Sequence, residues 1–102
     1  MADLLARTDI DTALESLAGW SHDGKALVRR AEVPGDSQDA LVEAVATVAD
    51  AMDHHPELER EADAVTFRLW THSAGGVTAK DIELAARIDQ TLSGSGSDQG
   101  TA

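Results

Sequence analysis

The sequence contains no cysteine and only three aromatic residues, Trp20, Phe67 and Trp70, among its 102 residues. The lack of cysteine excludes disulfides, thiolate metal sites and a cysteine nucleophile. With so few aromatic side chains, the hydrophobic core must be built mostly from Ala, Val, Leu and Ile. The length is that of a single domain, and a chain of this size buries enough surface to fold with little margin.

Basic residues are also scarce, because Lys and Arg number 8 against 19 Asp and Glu, a formal net charge of −11 at pH 7. Phosphate backbones repel so acidic a chain, so we expect no nucleic-acid partner. No apolar run approaches the roughly 20 residues that span a bilayer. Residues 1–7 are too short and too acidic a stretch for a signal peptide. We therefore expect a cytoplasmic domain without a membrane partner.

Two stretches in the first half carry the apolar spacing of amphipathic helices. The first follows Thr8, which is placed as an N-cap, and Gly19 is placed to end it. The second opens at Asp36 or Ser37 and must finish before Pro56, since a residue preceding proline avoids the helical region. Its apolar positions recur at i, i+3, i+4 and i+7. They are Leu41, Ala44, Val45, Val48, Ala49 and Met52.

A third helix is predicted to open at a capping box, Thr78-Ala79-Lys80-Asp81. Its inward positions are Ile82, Ala85, Ile88 and Leu92. From Ser93 the sequence has no apolar residue until its last residue, Ala102, and is rich in Ser and Gly. This composition predicts a disordered tail over 93–102, following a single domain over 1–92.

Two other stretches predict strands. Asp23-Gly24 indicates a hairpin, for which we expect a type I′ turn with positive φ at both central residues. The second strand of that hairpin places Leu27, Arg29, Ala31 and Val33 on one face. Residues 65–71 alternate between apolar and polar, as a half-buried strand does. The order of helix, hairpin, helix, one or two strands and helix predicts an α+β fold, an antiparallel sheet with helices packed on one face.

Three of the four histidines fall at predicted loop positions, where rigid elements present functional side chains. His54 and His55 follow the second helix, and His72 follows the strand over 65–71. Imidazole titrates near neutral pH, so such a cluster suits general acid and base catalysis. Asp81, nine residues beyond His72, could orient one of these rings through a hydrogen bond.

Simpler interpretations stay open for the same residues. The histidines can be ordinary loop residues, and the capping box alone explains Asp81. A metal site of His54, His72 and Asp81 is conceivable, but nothing in their spacing indicates it. A Ser-His-Asp nucleophile is disfavoured because no Gly-x-Ser-x-Gly elbow is present.

At these positions the sequence resembles the pterin-4a-carbinolamine dehydratases, also called 4a-hydroxytetrahydrobiopterin dehydratases. The resemblance covers roughly residues 4–92 and needs no gap between its His-His-Pro, Thr-His and Asp elements. It rests on Asp53-His54-His55-Pro56, Val65, Leu69, Thr71-His72, Gly75-Gly76, Thr78, Asp81, Leu84-Ala85 and Ile88-Asp89, with Leu17-x-Gly19-Trp20, Leu27-x-Arg29 and Ala49-Asp50 upstream.

The resemblance implies a four-stranded antiparallel sheet assembled into homodimers or homotetramers. It implies a dehydratase that removes water from 4a-hydroxytetrahydropterin to give quinonoid dihydropterin, in the recycling of tetrahydrobiopterin, without a metal or an organic cofactor. It also implies site roles: His54 and His72 as the acid/base pair, Asp81 as the orienting carboxylate, and His55 with Asp53 and Thr71 at the substrate. Some relatives act instead as protein-binding scaffolds, which is the alternative function.

The sequence departs from the family in its aromatic residues. Leu58 and Ala62 stand where family members usually carry aromatics after the His-His-Pro motif. Smaller residues, including Ala31, Val33 and Leu41, replace phenylalanines that are common on the second strand and second helix. These replacements remove core volume unless another side chain fills the space.

Overall fold

The computed structural model describes residues 4–96, which form three helices and one four-stranded sheet. The helices are α1 (Arg7–Leu14), α2 (Gly35–Met52) and α3 (Ala79–Gly96), and the strands are β1 (Ser21–Asp23), β2 (Ala26–Glu32), β3 (Glu57–Arg60) and β4 (Ala64–Leu69). In this part of the chain no helix is both long and apolar enough to cross a membrane. α3 continues four residues past the predicted domain boundary at 92, and residues 97–102 of the predicted tail lie outside the described residues.

The four strands lie in the order β1-β2-β4-β3, and every neighbouring pair is antiparallel. This confirms the predicted α+β class and the four-stranded sheet. The pairings Leu27 with Leu69 and Ala31 with Val65 align the apolar alternation of β2 with that of β4. All residues of β3 are exposed, which is why its sequence lacks the alternation that predicts a strand.

The β1–β2 hairpin turns through Gly24 and Lys25, because Asp23 pairs with Ala26. Gly24 has a φ of +63°, whereas Lys25 is not among the residues with positive φ. Glycine at the first central position with positive φ there alone is the pattern of a type II′ turn. The hairpin was predicted correctly, but the expected type I′ turn is wrong because Asp23 lies in the strand rather than in the turn.

The core lies between one face of the sheet and the three helices. The strand residues in this core all lie on the same face of the sheet: Leu27, Ala31, Val65, Phe67 and Leu69. The helices contribute Ile10, Leu41, Val45, Leu84, Ala85 and Ile88. The Trp20 ring packs on Phe67 with ring centroids 6.5 Å apart, so two of the three aromatics occupy this core.

The helix starts differ from those predicted by side-chain capping. Ala6 and Pro34 are the N-caps of α1 and α2, and neither supplies a side-chain hydrogen bond. Thr8 therefore lies inside α1, where its carbonyl accepts from the Thr12 hydroxyl. α1 already ends at Leu14, five residues before Gly19, whose φ of +94° belongs to the following turn. On α2, Ala44 is exposed, because it lies at the margin of the apolar stripe.

The end of α2 and the start of α3 position the candidate site, and both agree with the prediction from the sequence. α2 stops at Met52, and its C-cap Asp53 is left-handed with a φ of +53°, which turns the chain towards Pro56. At the start of α3, the Thr78 amide donates to Asp81 Oδ2 over 2.9 Å, and the Lys80 amide donates to Thr78 Oγ1 over 3.3 Å. These bonds confirm the predicted capping box.

The small residues that replace the expected phenylalanines leave space open at the protein surface. A cleft of about 430 Å³ is lined by Ala31, Val33, Leu41 and Leu92, together with Arg29 at its side. Trp70, the third aromatic, does not fill this space, because it lies on the opposite strand parity from Phe67. Trp70 therefore does not recover the lost aromatic volume.

Candidate active site

Asp81 is fully buried and forms the centre of a hydrogen-bonded cluster at the first turn of α3. Its Oδ1 atom lies 2.5 Å from His54 Nε2. Its Oδ2 atom accepts from the Thr71 hydroxyl and the Thr78 amide, each over 2.9 Å. A buried carboxylate requires such partners, and the N-terminus of α3 adds a favourable helix dipole. The cluster thus joins the end of α2, the end of β4 and the start of α3.

The hydroxyl protons of this cluster have one consistent arrangement. Because the Thr71 hydroxyl donates to Asp81, the 2.7 Å bond between Thr71 and Thr78 must be donated by the Thr78 hydroxyl. Thr78 Oγ1 in turn accepts from the Lys80 amide. The chain of donors therefore points from the helix start towards the carboxylate, and every donor in it is used. Such a network holds Asp81 in one position.

The same carboxylate determines where the proton of neutral His54 lies. An ionised carboxylate can only accept, so Nε2 of His54 must donate to Asp81. The neutral ring then leaves Nδ1 as an acceptor, and no other described residue forms a hydrogen bond to Nδ1. The His54 side chain is only 11% exposed. His54 is therefore a fixed base whose free nitrogen is set by its partner.

His55 makes a separate and much more exposed pair. Its Nε2 atom lies 2.6 Å from Asp50 Oδ1, and the two side chains are 57% and 72% exposed. Asp50 lies on the last turn of α2, so its contact to His55 is local and spans five residues. A pair this exposed contributes little to stability. The His55 ring is available to a ligand at the protein surface.

His72 is exposed and stacks on the ring of Trp70, with centroids 4.6 Å apart and an interplanar angle of 24°. On the same indole, Lys25 Nζ lies 5.0 Å from the ring centroid. No hydrogen bond among residues 4–96 joins His72 to His54 or Asp81. His72 directly follows Thr71, whose hydroxyl belongs to the cluster, while the His72 ring stacks on Trp70.

The model of the family described as pterin 4 alpha carbinolamine dehydratase matches residues 3–91. The chain belongs to this family. Two similar proteins are provisionally named pterin-4-alpha-carbinolamine dehydratases. The protein of Mycolicibacterium smegmatis is 41% identical over 92 residues, covering 88% of this chain and 97% of its own. That of Roseiflexus castenholzii is 40% identical over 93 residues, covering 90% of this chain and 100% of its own.

The fold of this pterin carbinolamine dehydratase family member also matches a crystal structure. A protein from Brucella melitensis, described as a transcriptional coactivator/pterin dehydratase, superposes with a TM-score of 0.83. It is 28% identical, and the match covers 87% of this chain and 98% of the other. The family resemblance stated from the sequence motifs is confirmed.

Of the site residues predicted for this pterin carbinolamine dehydratase relative, the structure brings together His54, Asp81 and Thr71. His55, His72 and Asp53 form no hydrogen bond to that cluster among the described residues: His55 contacts Asp50, His72 stacks on Trp70, and Asp53 is the C-cap of α2. Sequence reasoning included Thr78 and Asp50 in the family resemblance but assigned neither of them a role at the site. The spacing Asp50 to His55, across a helix end, is a signal that could have indicated their pairing.

The described residues contain no candidate site for a metal ion. No group of three or more His, Asp or Glu side chains within residues 4–96 is arranged to hold an ion. Three surface clefts, of about 430, 420 and 300 Å³, are lined by residues outside the Asp81 cluster. His54 combines a hydrogen bond from Nε2 to a buried carboxylate with an Nδ1 atom that has no hydrogen-bond partner among the described residues.

Proposed function

We propose that the chain removes water from a 4a-hydroxytetrahydropterin to give the quinonoid dihydropterin. Family membership supports the reaction class. The observation that carries the proposal is the buried Asp81 carboxylate, which fixes the proton of His54 on Nε2. A buried charge is costly to keep, and a function in proton transfer explains its retention.

The reaction needs two proton transfers in opposite directions. The bond between C4a and its hydroxyl breaks as that oxygen gains a proton and leaves as water. A ring nitrogen loses a proton, and its electron pair forms the new double bond. One group must therefore act as acid and another as base, and each contributes about 10²- to 10⁴-fold.

His54 is suited to the role of base. Its Nδ1 atom is free to accept the ring-nitrogen proton, and the resulting imidazolium would be stabilised by the Asp81 carboxylate 2.5 Å from Nε2. The arrangement follows the general pattern in which a buried carboxylate orients an imidazole and supports its charged form. Asp81 acts through His54 and is therefore a positioning residue.

His72 is assigned the role of acid at the leaving hydroxyl. The Trp70 ring beneath its imidazole restricts the orientation of the exposed side chain. The buried Thr71 hydroxyl fixes the backbone immediately before it. His55 and Asp53 lie at the surface between α2 and β3, where we assign them to contacts with the pterin. This division of roles completes the acid/base pair.

We further propose that this activity recycles tetrahydrobiopterin in the cytoplasm, and that the protein functions as a homodimer or homotetramer. The exposed edge strand β3 supports assembly, because an uncovered edge offers unpaired backbone groups to a second chain. Neither step of the proposed chemistry uses a metal or an organic cofactor.

A protein-binding scaffold is the second candidate, favoured by the description of the Brucella melitensis protein as a transcriptional coactivator as well as a pterin dehydratase. A scaffold has no use for the ordered proton on His54. The discriminating assay adds the purified protein to synthetic 4a-hydroxytetrahydropterin and follows dehydration by ultraviolet absorbance. Dehydration that accelerates in proportion to protein concentration supports the enzyme. A rate equal to that of buffer alone would leave the scaffold as the function.

A further inference from the structure

A cleft of about 300 Å³ lies between the start of the described chain, the β1–β2 turn and the loop that precedes α3. We call it the N-terminal cleft. Three of its lining side chains are basic, Arg7, His22 and Lys25, and none of the described residues that line it is acidic. In a chain whose Asp and Glu outnumber Lys and Arg by 19 to 8, this local composition is unusual.

Among residues 4–96, no ion pair joins a basic residue of the N-terminal cleft to a carboxylate. Elsewhere in the described structure Arg29, Arg30, Arg60 and Arg87 each contact a carboxylate. Within residues 4–96 neither Arg7 nor Lys25 contacts one. Arg7 and Lys25 therefore have no ion-pair partner among these residues, as is also true of Arg68 and Lys80, whereas the field of the whole molecule is negative and repels anions.

Defined contacts build the wall of the cleft. The Leu5 amide donates to the Val77 carbonyl over 3.0 Å, and Leu4 forms a β-bridge with Thr78. A Cβ on Gly76 would lie 2.8 Å from a Leu4 methyl carbon, so glycine permits this close approach. On the opposite side, Lys25 is held over the Trp70 ring. The position of the Lys25 ammonium group is thus linked to the fold.

The lining also contains an apolar part. Leu4 is 57% exposed, and Leu5, Ile10 and Val77 line the same cleft. Apolar walls beside a few converging charged groups are typical of small-molecule sites, although about 300 Å³ is at the lower end of their usual size. The occupant must therefore be small, negatively charged and partly apolar.

We propose that the N-terminal cleft binds a small organic anion, a phosphate or carboxylate group attached to an apolar body. Arg7 and Lys25 bind the anionic group, and the leucines contact the apolar body. None of the lining residues belongs to the Asp81 cluster, so the inference does not depend on the proposed dehydratase activity.

The test uses phenyl phosphate as the probe and the full chain labelled with ¹⁵N. Amide resonances of Gly24, Gly75 and Gly76 report on the cleft, and titration calorimetry gives the affinity. We expect shifts confined to the cleft and a Kd of about 1 mM or tighter, as ligands of this size allow. Benzyl alcohol, which has the ring without the charge, should bind at least about tenfold more weakly.

Arg7→Gln and Lys25→Gln should each weaken phenyl phosphate binding at least about fivefold, because each removes one charge-assisted contact. Arg87→Gln removes the same charge from an exposed ion pair on α3 and should leave the affinity unchanged. Amide spectra of each variant verify that it is folded. The proposal is overturned if phenyl phosphate shifts no cleft amide, if benzyl alcohol binds equally well, or if Arg87→Gln weakens binding as much as the cleft variants do.

Discussion

Replacing Asp81 by asparagine should reverse the tautomer of neutral His54. The Thr71 hydroxyl and the Thr78 amide both donate to Oδ2 of Asp81, so the asparagine oxygen must occupy that position. The amide nitrogen then takes the place of Oδ1 and directs one of its N–H groups at His54 Nε2, which carries a proton of its own in the wild type. Two donors cannot share that bond, so Nε2 becomes the acceptor and the ring proton moves to Nδ1.

The change of tautomer determines the expected loss of turnover, and the weaker hydrogen bonds determine the expected loss of stability. The nitrogen that accepted the substrate proton now carries its own, so turnover should fall by about 10²- to 10⁴-fold, the range for a lost general base. All three hydrogen bonds persist as neutral bonds, each weaker than its charge-assisted form. We expect unfolding to become easier by about 2 kcal/mol, which lowers the thermal midpoint by roughly 8–16 °C for a domain of this size.

Two measurements on one preparation test the reasoning. Long-range ¹H–¹⁵N spectra of the histidine rings identify the protonated nitrogen of His54, and the dehydration assay gives turnover at a temperature where the variant is folded. Asp89→Asn on the same helix is the matched control, since Asp89 also accepts two hydrogen bonds, from Trp20 and Arg29. That variant should lose stability but keep turnover. Full turnover in Asp81→Asn with the proton moved to Nδ1 would refute the role of Asp81 in positioning the base.

Three further predictions concern the same site and the assembly. Thr71→Val removes one donor to Asp81 and should cost about 1–3 kcal/mol in urea unfolding, while turnover falls far less than in Asp81→Asn because Oδ1 still accepts from His54. Dialysis against a chelator should leave turnover unchanged, because His54 Nε2 is already bound to Asp81 and the chain has no cysteine; activity restored by zinc or iron would contradict this. Light scattering should give two or four times the chain mass of 10.7 kDa, and a monomer at micromolar concentration would argue against assembly through β3.

Much of the fold follows from local sequence patterns. The stripe from Leu41 to Met52 predicted α2, and the alternation around Phe67 predicted β4. The position of β3 was not predicted, because none of its residues is buried and its sequence therefore shows no alternation of apolar and polar residues. The starts of α1 and α2 were predicted at the wrong residues for a different reason. The sequence offered Thr8 as the N-cap of α1 and Asp36 or Ser37 as the start of α2, whereas the helices begin at Arg7 and Gly35, without a side-chain cap.

At the candidate site, only part of the predicted set meets: His54 and Thr71 contact Asp81, whereas His55 and His72 contact other residues. The capping box and the orienting role were alternative interpretations of Asp81. In the structure both geometries occur together, because one carboxylate oxygen serves the helix start and the other contacts His54. The stacking of His72 on Trp70 could not be predicted, since it depends on side-chain orientations at the end of β4 that no local pattern encodes.

The most direct test of the dehydratase account compares the wild-type chain with the double variant His54→Ala/His72→Ala in the dehydration of 4a-hydroxytetrahydropterin. Each histidine is assigned one of the two proton transfers. The wild type should accelerate dehydration above the buffer rate, and the double variant should lose at least about 10²-fold of that catalysis while remaining folded. A double variant that retains the wild-type rate would contradict the account.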